Sequence, residues 1–173
     1  LTLPNVFSVK KRKTWFNMRV LFVSAILVLA DQVSKAIVVR TMSLYESVPV
    51  IENFFHFTYI TNDGMAFGID FPFGYFIFSL VSALLTLFLF WYLWTVRNDS
   101  LVIRLGLAMI IAGAVGNLID RLMLGEVIDF LDFMIGNFHW YVFNLADSYV
   151  TVGMVLILTD SIFLEKKREK SHT

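Results

Sequence analysis

The chain has no cysteine among its 173 residues. That excludes disulfides, a thiol nucleophile, thiolate metal sites and a lipidated thiol. Histidine is nearly absent as well. His56, His139 and His172 are scattered without ligand spacing. They read as surface or interface residues, and Ser148 has no nearby histidine for a triad. No Gly-x-Ser-x-Gly elbow is present. Ser34 beside Lys35 does not make a Ser/Lys pair, because adjacent helix positions point about 100° apart. Charge is sparse at 16% of residues, and Phe73–Trp94 carries none. No repeat and no low-complexity stretch is visible.

What remains is apolar. Hydrophobic residues make up 58% of the chain, and mean hydropathy is +0.73. Four long runs stand out: Val20–Val39, Phe73–Trp94, Leu105–Met123 and Leu145–Leu164. Each has about the 20 residues that a helix needs to cross a ~30 Å hydrocarbon core. The length fits one domain. The expected fold is therefore membrane all-α, with four transmembrane helices. Lys10, Lys11, Arg12, Lys13 and Arg19 precede the first run, as they would in a secretory signal. The run lacks a small-x-small cleavage site and continues through Asp31-Gln32, so it reads as a retained span. Residues 1–18 read as a flexible basic tail, 19–165 as a single four-helix domain and 166–173 as a second basic tail.

Net charge is zero, with 14 basic and 14 acidic residues, but its distribution is uneven. Most Lys and Arg lie in the N-terminal tail, at Arg97 and Arg104, and in the C-terminal tail. Lys35, Arg40 and Arg121 remain on the other side. The positive-inside rule then puts both termini in the cytoplasm and the two longer connections outside. In the first outer connection, Val48–Ile51 and Asn53–Thr61 are rich in β-branched and aromatic residues, and Asn62-Asp63-Gly64 is a turn signal. A small extracytoplasmic β-sheet is expected there, with Phe55, Phe57 and Tyr59 on one face resting on the membrane. The second, Leu124 to Phe143, holds Asp129, Asp132 and several aromatics. It reads as a segment lying in the interface.

The polar residues of the spans converge on one depth. At 1.5 Å per residue, Asp31 lies about 18 Å from the inner end of the first run, with Lys35 on the same face one turn on. Asn117, Asp120 and Arg121 occupy the outer turns of the third run. Asn144 and Asp147 occupy the outer turn of the fourth, and Asp129 enters from the connection. Asp160, near the inner end, is the exception. An ionised carboxylate at the centre of a membrane helix costs roughly 2.5–3.5 kcal/mol on insertion scales, so these residues need a partner or a task. Ala108, Ala112 and Gly116, beside Gly113, Asn117 and Arg121, mark a face for close packing against the first and fourth spans. The uncharged second span is expected to face lipid.

Five stretches carry a resemblance. Asp31-Gln32-Val33-Ser34-Lys35, Asn62-x-Gly64-x-Ala66-Phe67-Gly68, Gly116-Asn117-Leu118-Ile119-Asp120-Arg121, Val127-Ile128-Asp129-Phe130 and Phe143-Asn144-Leu145-Ala146-Asp147-Ser148 are similar to the successive signatures of bacterial lipoprotein signal peptidase, or signal peptidase II. The resemblance covers roughly Val20 to Leu164. It implies an intramembrane aspartyl endopeptidase of the bacterial inner membrane. Its substrates would be diacylglyceryl-modified prolipoproteins, cut just before the lipidated Cys. The catalytic pair falls on Asp129 and Asp147. Asn62, Gly64, Asn117, Asp120, Arg121 and Asn144 would orient that pair or hold the substrate. Asp31 and Lys35 read as a structural ion pair. Arg121 is open between pairing with Asp120 and reaching the substrate backbone. No cofactor or metal is implied, and no nucleic acid. Membrane lipid is the expected surrounding, with no obligate protein partner.

Elementary chemistry agrees. Peptide hydrolysis without a metal or a covalent nucleophile needs one carboxylate to activate water and one carboxylic acid to protonate the carbonyl oxygen. Two close carboxyls in a low-dielectric site share a proton and titrate as a pair. Two rival readings stand beside this one. A proton or cation relay would place polar residues through the whole bilayer depth. A non-catalytic assembly factor would use its carboxylates only to pair with Lys35 and Arg121.

Overall fold

The computed structural model describes residues 18–63, 74–136 and 138–164. Gly64, residues 1–17 of the first tail and all of the second lie outside them. Helix α1 spans Val20–Thr41, strand β1 Ser47–Ile51, β2 Phe55–Asn62, α2 Gly74–Thr95 and α3 Leu101–Leu124. Strands β3, Val127–Ile135, and β4, Phe138–His139, precede α4, Leu145–Thr159, which continues in a π turn at Asp160–Leu164. All four helices are long and apolar enough to cross a membrane.

Their outward faces explain why lipid is the solvent. Phe22 is 73% exposed and Leu87 66%, which water would penalise heavily. The buried faces are made of small and polar residues instead. Helix α3 is the hub and packs against α1, α2 and α4. Its buried residues include Gly106, Ala108, Ala112, Gly113, Gly116 and Asp120. A Cβ at Gly113 would collide with the Ala146 carbonyl of α4, and one at Gly116 would lie 2.6 Å from Asp31 Oδ2 of α1. Glycine at these two positions sets how near the helices come. Lower down, Ser24 Oγ of α1 donates to the Ala108 carbonyl at 2.7 Å. The small-residue face therefore meets the first and fourth spans as expected. Helix α2 sends Phe76, Leu84 and Leu85 outward and docks through Leu89 and Leu93, with Val96 just after its end.

Helix α3 begins one turn earlier than its apolar run. Ser100 caps it, its Oγ accepting from Ile103 N–H at 3.2 Å. The same hydroxyl meets Asp160 Oδ1 at 3.0 Å, tying the start of α3 to the end of α4. Asp160 is thus a helix fastening at the opposite end from the other polar residues. Helix α3 stops at Gly125, whose φ of 88° is the left-handed cap that glycine adopts freely.

The strands form one antiparallel sheet in the order β1-β2-β3-β4. The second connection therefore contributes a strand, while Phe138, Trp140 and Tyr141 beyond it remain exposed. Phe57 and Tyr59 pack with Val38 of α1 and with Ile128 and Phe130 of β3. Phe55 lies against Phe57 and Phe133. The face expected to rest on the membrane is thus turned onto the protein, because β3 and the end of α1 offer it an apolar surface. A bulge between Phe57 and Ile60 resets the register, bringing Ile60 opposite Asp129 and Asn62 opposite Val127.

Candidate active site

Asp129 lies on β3 and Asp147 in the first turn of α4. Two backbone bonds bring those elements together. Leu131 N–H donates to the Phe143 carbonyl at 2.7 Å, and Phe143 N–H returns to Leu131 at 3.1 Å. The residue after Phe143 is Asn144, which starts the helix. Its Oδ1 accepts from Asp147 N–H at 3.0 Å, while Asp147 Oδ2 accepts from Asn144 N–H at 3.2 Å. This reciprocal capping box fixes the Asp147 carboxylate at a helix N-terminus, where a negative charge is favoured.

Asn144 also reaches the other carboxylate. It is fully buried, and its Nδ2 donates to Asp129 Oδ1 at 2.7 Å, to Asn117 Oδ1 at 3.0 Å and to the Ile128 carbonyl at 3.2 Å. Asn117 completes the link, its Nδ2 donating to Asp147 Oδ1 at 2.8 Å. Asn62 at the end of β2 donates to Asp129 Oδ2 at 3.4 Å. Both aspartates are thus held by asparagine amides, which donate without neutralising charge. Asp129 is only 2% exposed. Burial, followed by the charge of Asp147, pushes its carboxyl up to about 7, against the opposing hydrogen bonds from Asn62 and Asn144.

Beneath this pair lies an ionic knot. Lys35 Nζ meets Asp31 Oδ2 at 2.9 Å, Asp120 Oδ2 at 2.7 Å and Asn117 Oδ1 at 3.0 Å. All three ammonium donors are used. Asp31 Oδ1 accepts from Ala146 N–H at 3.0 Å, so the knot joins α1, α3 and α4. Asp120 Oδ2 also accepts from Ile128 N–H at 3.3 Å, extending the knot to β3. The expected pair of Asp31 and Lys35 is present, with Asp120 as a second acid. Gln32, which sequence reasoning left without a role, bridges Asp31, the Gly116 carbonyl and Asp120. An amide in an apolar span, one residue from an acid, was the available signal.

Lys35 takes Asp120, and so Arg121 does not. Arg121 Nη1 reaches only the Asn117 carbonyl at 3.4 Å, and its Nε has no hydrogen-bond partner among the described residues. It lies within electrostatic reach of Asp147, Asp129 and Asp120. A cavity of about 410 Å³ opens beside Asp147, lined by Trp140, Phe143, Asp147, Ser148, Thr151 and Val152. Among the described residues, no three His, Cys, Asp or Glu side chains cluster as metal ligands. Asp132, three residues from Asp129 on the same strand, faces the opposite way and accepts from Thr58 Oγ1 at 2.7 Å.

Comparisons with known proteins give the family. The model of the peptidase family described as signal peptidase (SPase) II matches residues 23–163. A lipoprotein signal peptidase of Desulforapulum autotrophicum is 45% identical over 150 residues, covering 84% of this chain and 93% of that protein. One from Geobacter sulfurreducens is 43% identical over 140 residues, covering 80% and 88%. Two solved structures, described as bacterial membrane enzyme structures obtained by the in meso method at 1.9 and 2.3 Å, are each 32% identical and span 83% of this chain. They superpose with TM-scores of 0.73 and 0.71 over 92% and 89% of their own lengths. With its four membrane-crossing helices, the chain belongs to the signal peptidase II family of lipoprotein signal peptidases.

Proposed function

We propose that this protease removes signal peptides from prolipoproteins by general acid–base catalysis at Asp129 and Asp147. The observation that carries the reading is the asparagine frame. Asn144 and Asn117 hold two carboxyls from different elements within electrostatic reach of each other, in a site where one of them keeps its proton near neutrality. Asp147 acts as the base and takes a proton from a water as its oxygen attacks the scissile carbonyl carbon. Asp129, the protonated partner, gives its proton to the carbonyl oxygen. A tetrahedral diol results. As the C–N bond breaks, Asp147 returns its proton to the leaving amine, and Asp129 recovers one from a diol hydroxyl. Arg121 is the donor available to the substrate main chain.

The cut falls just before the lipidated Cys. The protein lies in the bacterial inner membrane, with both termini cytoplasmic and the dyad toward the outer leaflet. The basic residues at the inner ends support that orientation. The cavity beside Asp147 runs along α4 among apolar side chains, which suits a substrate anchored by acyl chains. No obligate protein partner is required, and residues 19–165 act as one unit. Asp129→Asn and Asp147→Asn are each expected to abolish cleavage of a lipidated precursor in detergent without added metal, while the variants still fold and insert. Wild-type turnover by either would end the reading.

A further inference from the structure

On the far side of β3 from the dyad is a second cavity, of about 230 Å³, between the outer halves of α1 and α3. A single water's share is about 30 Å³, so the space admits a far larger occupant. Ala36, Val39, Ile119 and Met123 form apolar walls, Ile128 and the mutually paired Lys35 and Asp120 line the deep end, and Arg40 stands at the outer end. Val39 and Met123 are exposed, so the slot opens sideways to the surrounding lipid. Ile128 and Asp129 are neighbours on one strand, and successive side chains point to opposite faces. The slot is therefore separate from the catalytic cleft.

Arg40 is the informative residue. Of the three basic residues in the outer half, Lys35 has its donors filled by Asp31, Asp120 and Asn117. Arg121 lies within electrostatic reach of Asp147 and Asp129. The Arg40 side chain makes no hydrogen bond or ion pair with any described residue. Basic residues are depleted on the outer side of membrane proteins, so an unengaged arginine at the end of an apolar slot invites an anion from the bilayer. A guanidinium binds phosphate through two parallel N–H donors.

We infer that the slot binds an anionic phospholipid. The phosphate sits on Arg40, and the start of one acyl chain fills the space between Ala36, Val39, Ile119 and Met123. The diacylglyceryl group of the substrate has no phosphate, which separates this site from a substrate subsite. A lipid seated there presses on Ile128, whose N–H and C=O are fixed by Asp120 and Asn144. It supports from behind the strand that carries Asp129.

The test is native mass spectrometry of the full chain in mild detergent, titrated separately with phosphatidylglycerol and with diacylglycerol. Wild type is expected to retain phosphatidylglycerol in preference to diacylglycerol. Arg40→Gln, at an exposed position, is expected to weaken that retention about tenfold, equivalent to about 1.4 kcal/mol. Ala36→Phe fills the slot and is expected to do the same with Arg40 intact. Melting temperatures confirm that each variant is folded. Equal retention of the two lipids by wild type would show an acyl site without a phosphate site and overturn the inference. Undiminished phosphatidylglycerol binding by both folded variants would overturn it too. The readout is independent of the dyad, since Asp129→Asn is expected to bind the lipid as wild type does.

Discussion

Asn144 serves two purposes with one side chain. Its oxygen begins a helix and its nitrogen holds a carboxylate, so the start of α4 and the position of Asp129 are set by the same amide. The Asp129 carboxyl is pushed up to about 7, and its proposed role as the acid requires the proton. The ratio kcat/KM is therefore expected to fall as pH rises through about 7. Asn62 donates to the ionised form, so Asn62→Leu makes ionisation harder. The alkaline limb should then move to higher pH by roughly half a unit, whatever happens to the maximal rate. An unmoved limb in pH–rate profiles of the two proteins would remove Asn62 from the dyad's surroundings. Asp129 and Asp147 stood out in the sequence because carboxylates at the edge of apolar runs are costly and because both fall in stretches that resemble signal peptidase II. The pairing of Asp120 with Lys35 did not. Adjacent helix positions point about 100° apart, which sets Arg121 aside as a partner for its neighbour, but only the placement of α1 brings Lys35 to the acid.

At the scale of elements, the knot of Asp31, Lys35 and Asp120 binds α1 and α3, while Asp31 reaches α4 through Ala146 N–H. Lys35→Met leaves two buried carboxylates with like charge and no cation. The expected cost is about 3–5 kcal/mol, read as a large drop in melting temperature in detergent. Adding Asp31→Asn and Asp120→Asn to Lys35→Met removes the repulsion and should restore part of it. An unchanged melting temperature for Lys35→Met would mean that the ions do not hold the helices together. The four helices and the small-residue face of α3 were readable because lipid leaves little else for long apolar runs to do. Strand β3 was hidden. Val127–Ile135 is apolar nearly throughout, and its two acids stand three residues apart, so they fall on opposite faces and break the alternation that marks a half-buried strand. Its partner β2 was visible, but the bulge that aligns Asp129 with Ile60 depends on contacts between distant segments.

Over the whole molecule, the proposed orientation has a direct check. A reporter inserted near Glu46 should signal from outside the cytoplasm and one at either terminus from within. A cytoplasmic signal from residue 46 would reverse the membrane sidedness and with it the route by which substrate arrives. Sidedness rests on the basic residues, which the sequence displays openly. The site does not, because its parts are dispersed along the chain. Lys35 comes from the first helix, Asn62 from the second strand, Asn117 from the third helix and Asp129 from the third strand. Asn144 and Asp147 come from the fourth helix. That dispersal sets a schedule for synthesis. A nascent chain halted at Phe143 has three apolar helices and one of the two acids, but neither the second acid nor the amide that joins them. With the proposed dyad incomplete, such a chain is expected to hydrolyse nothing. On that reading competence comes only once the last helix begins to form, and a half-made copy spares the precursors around it.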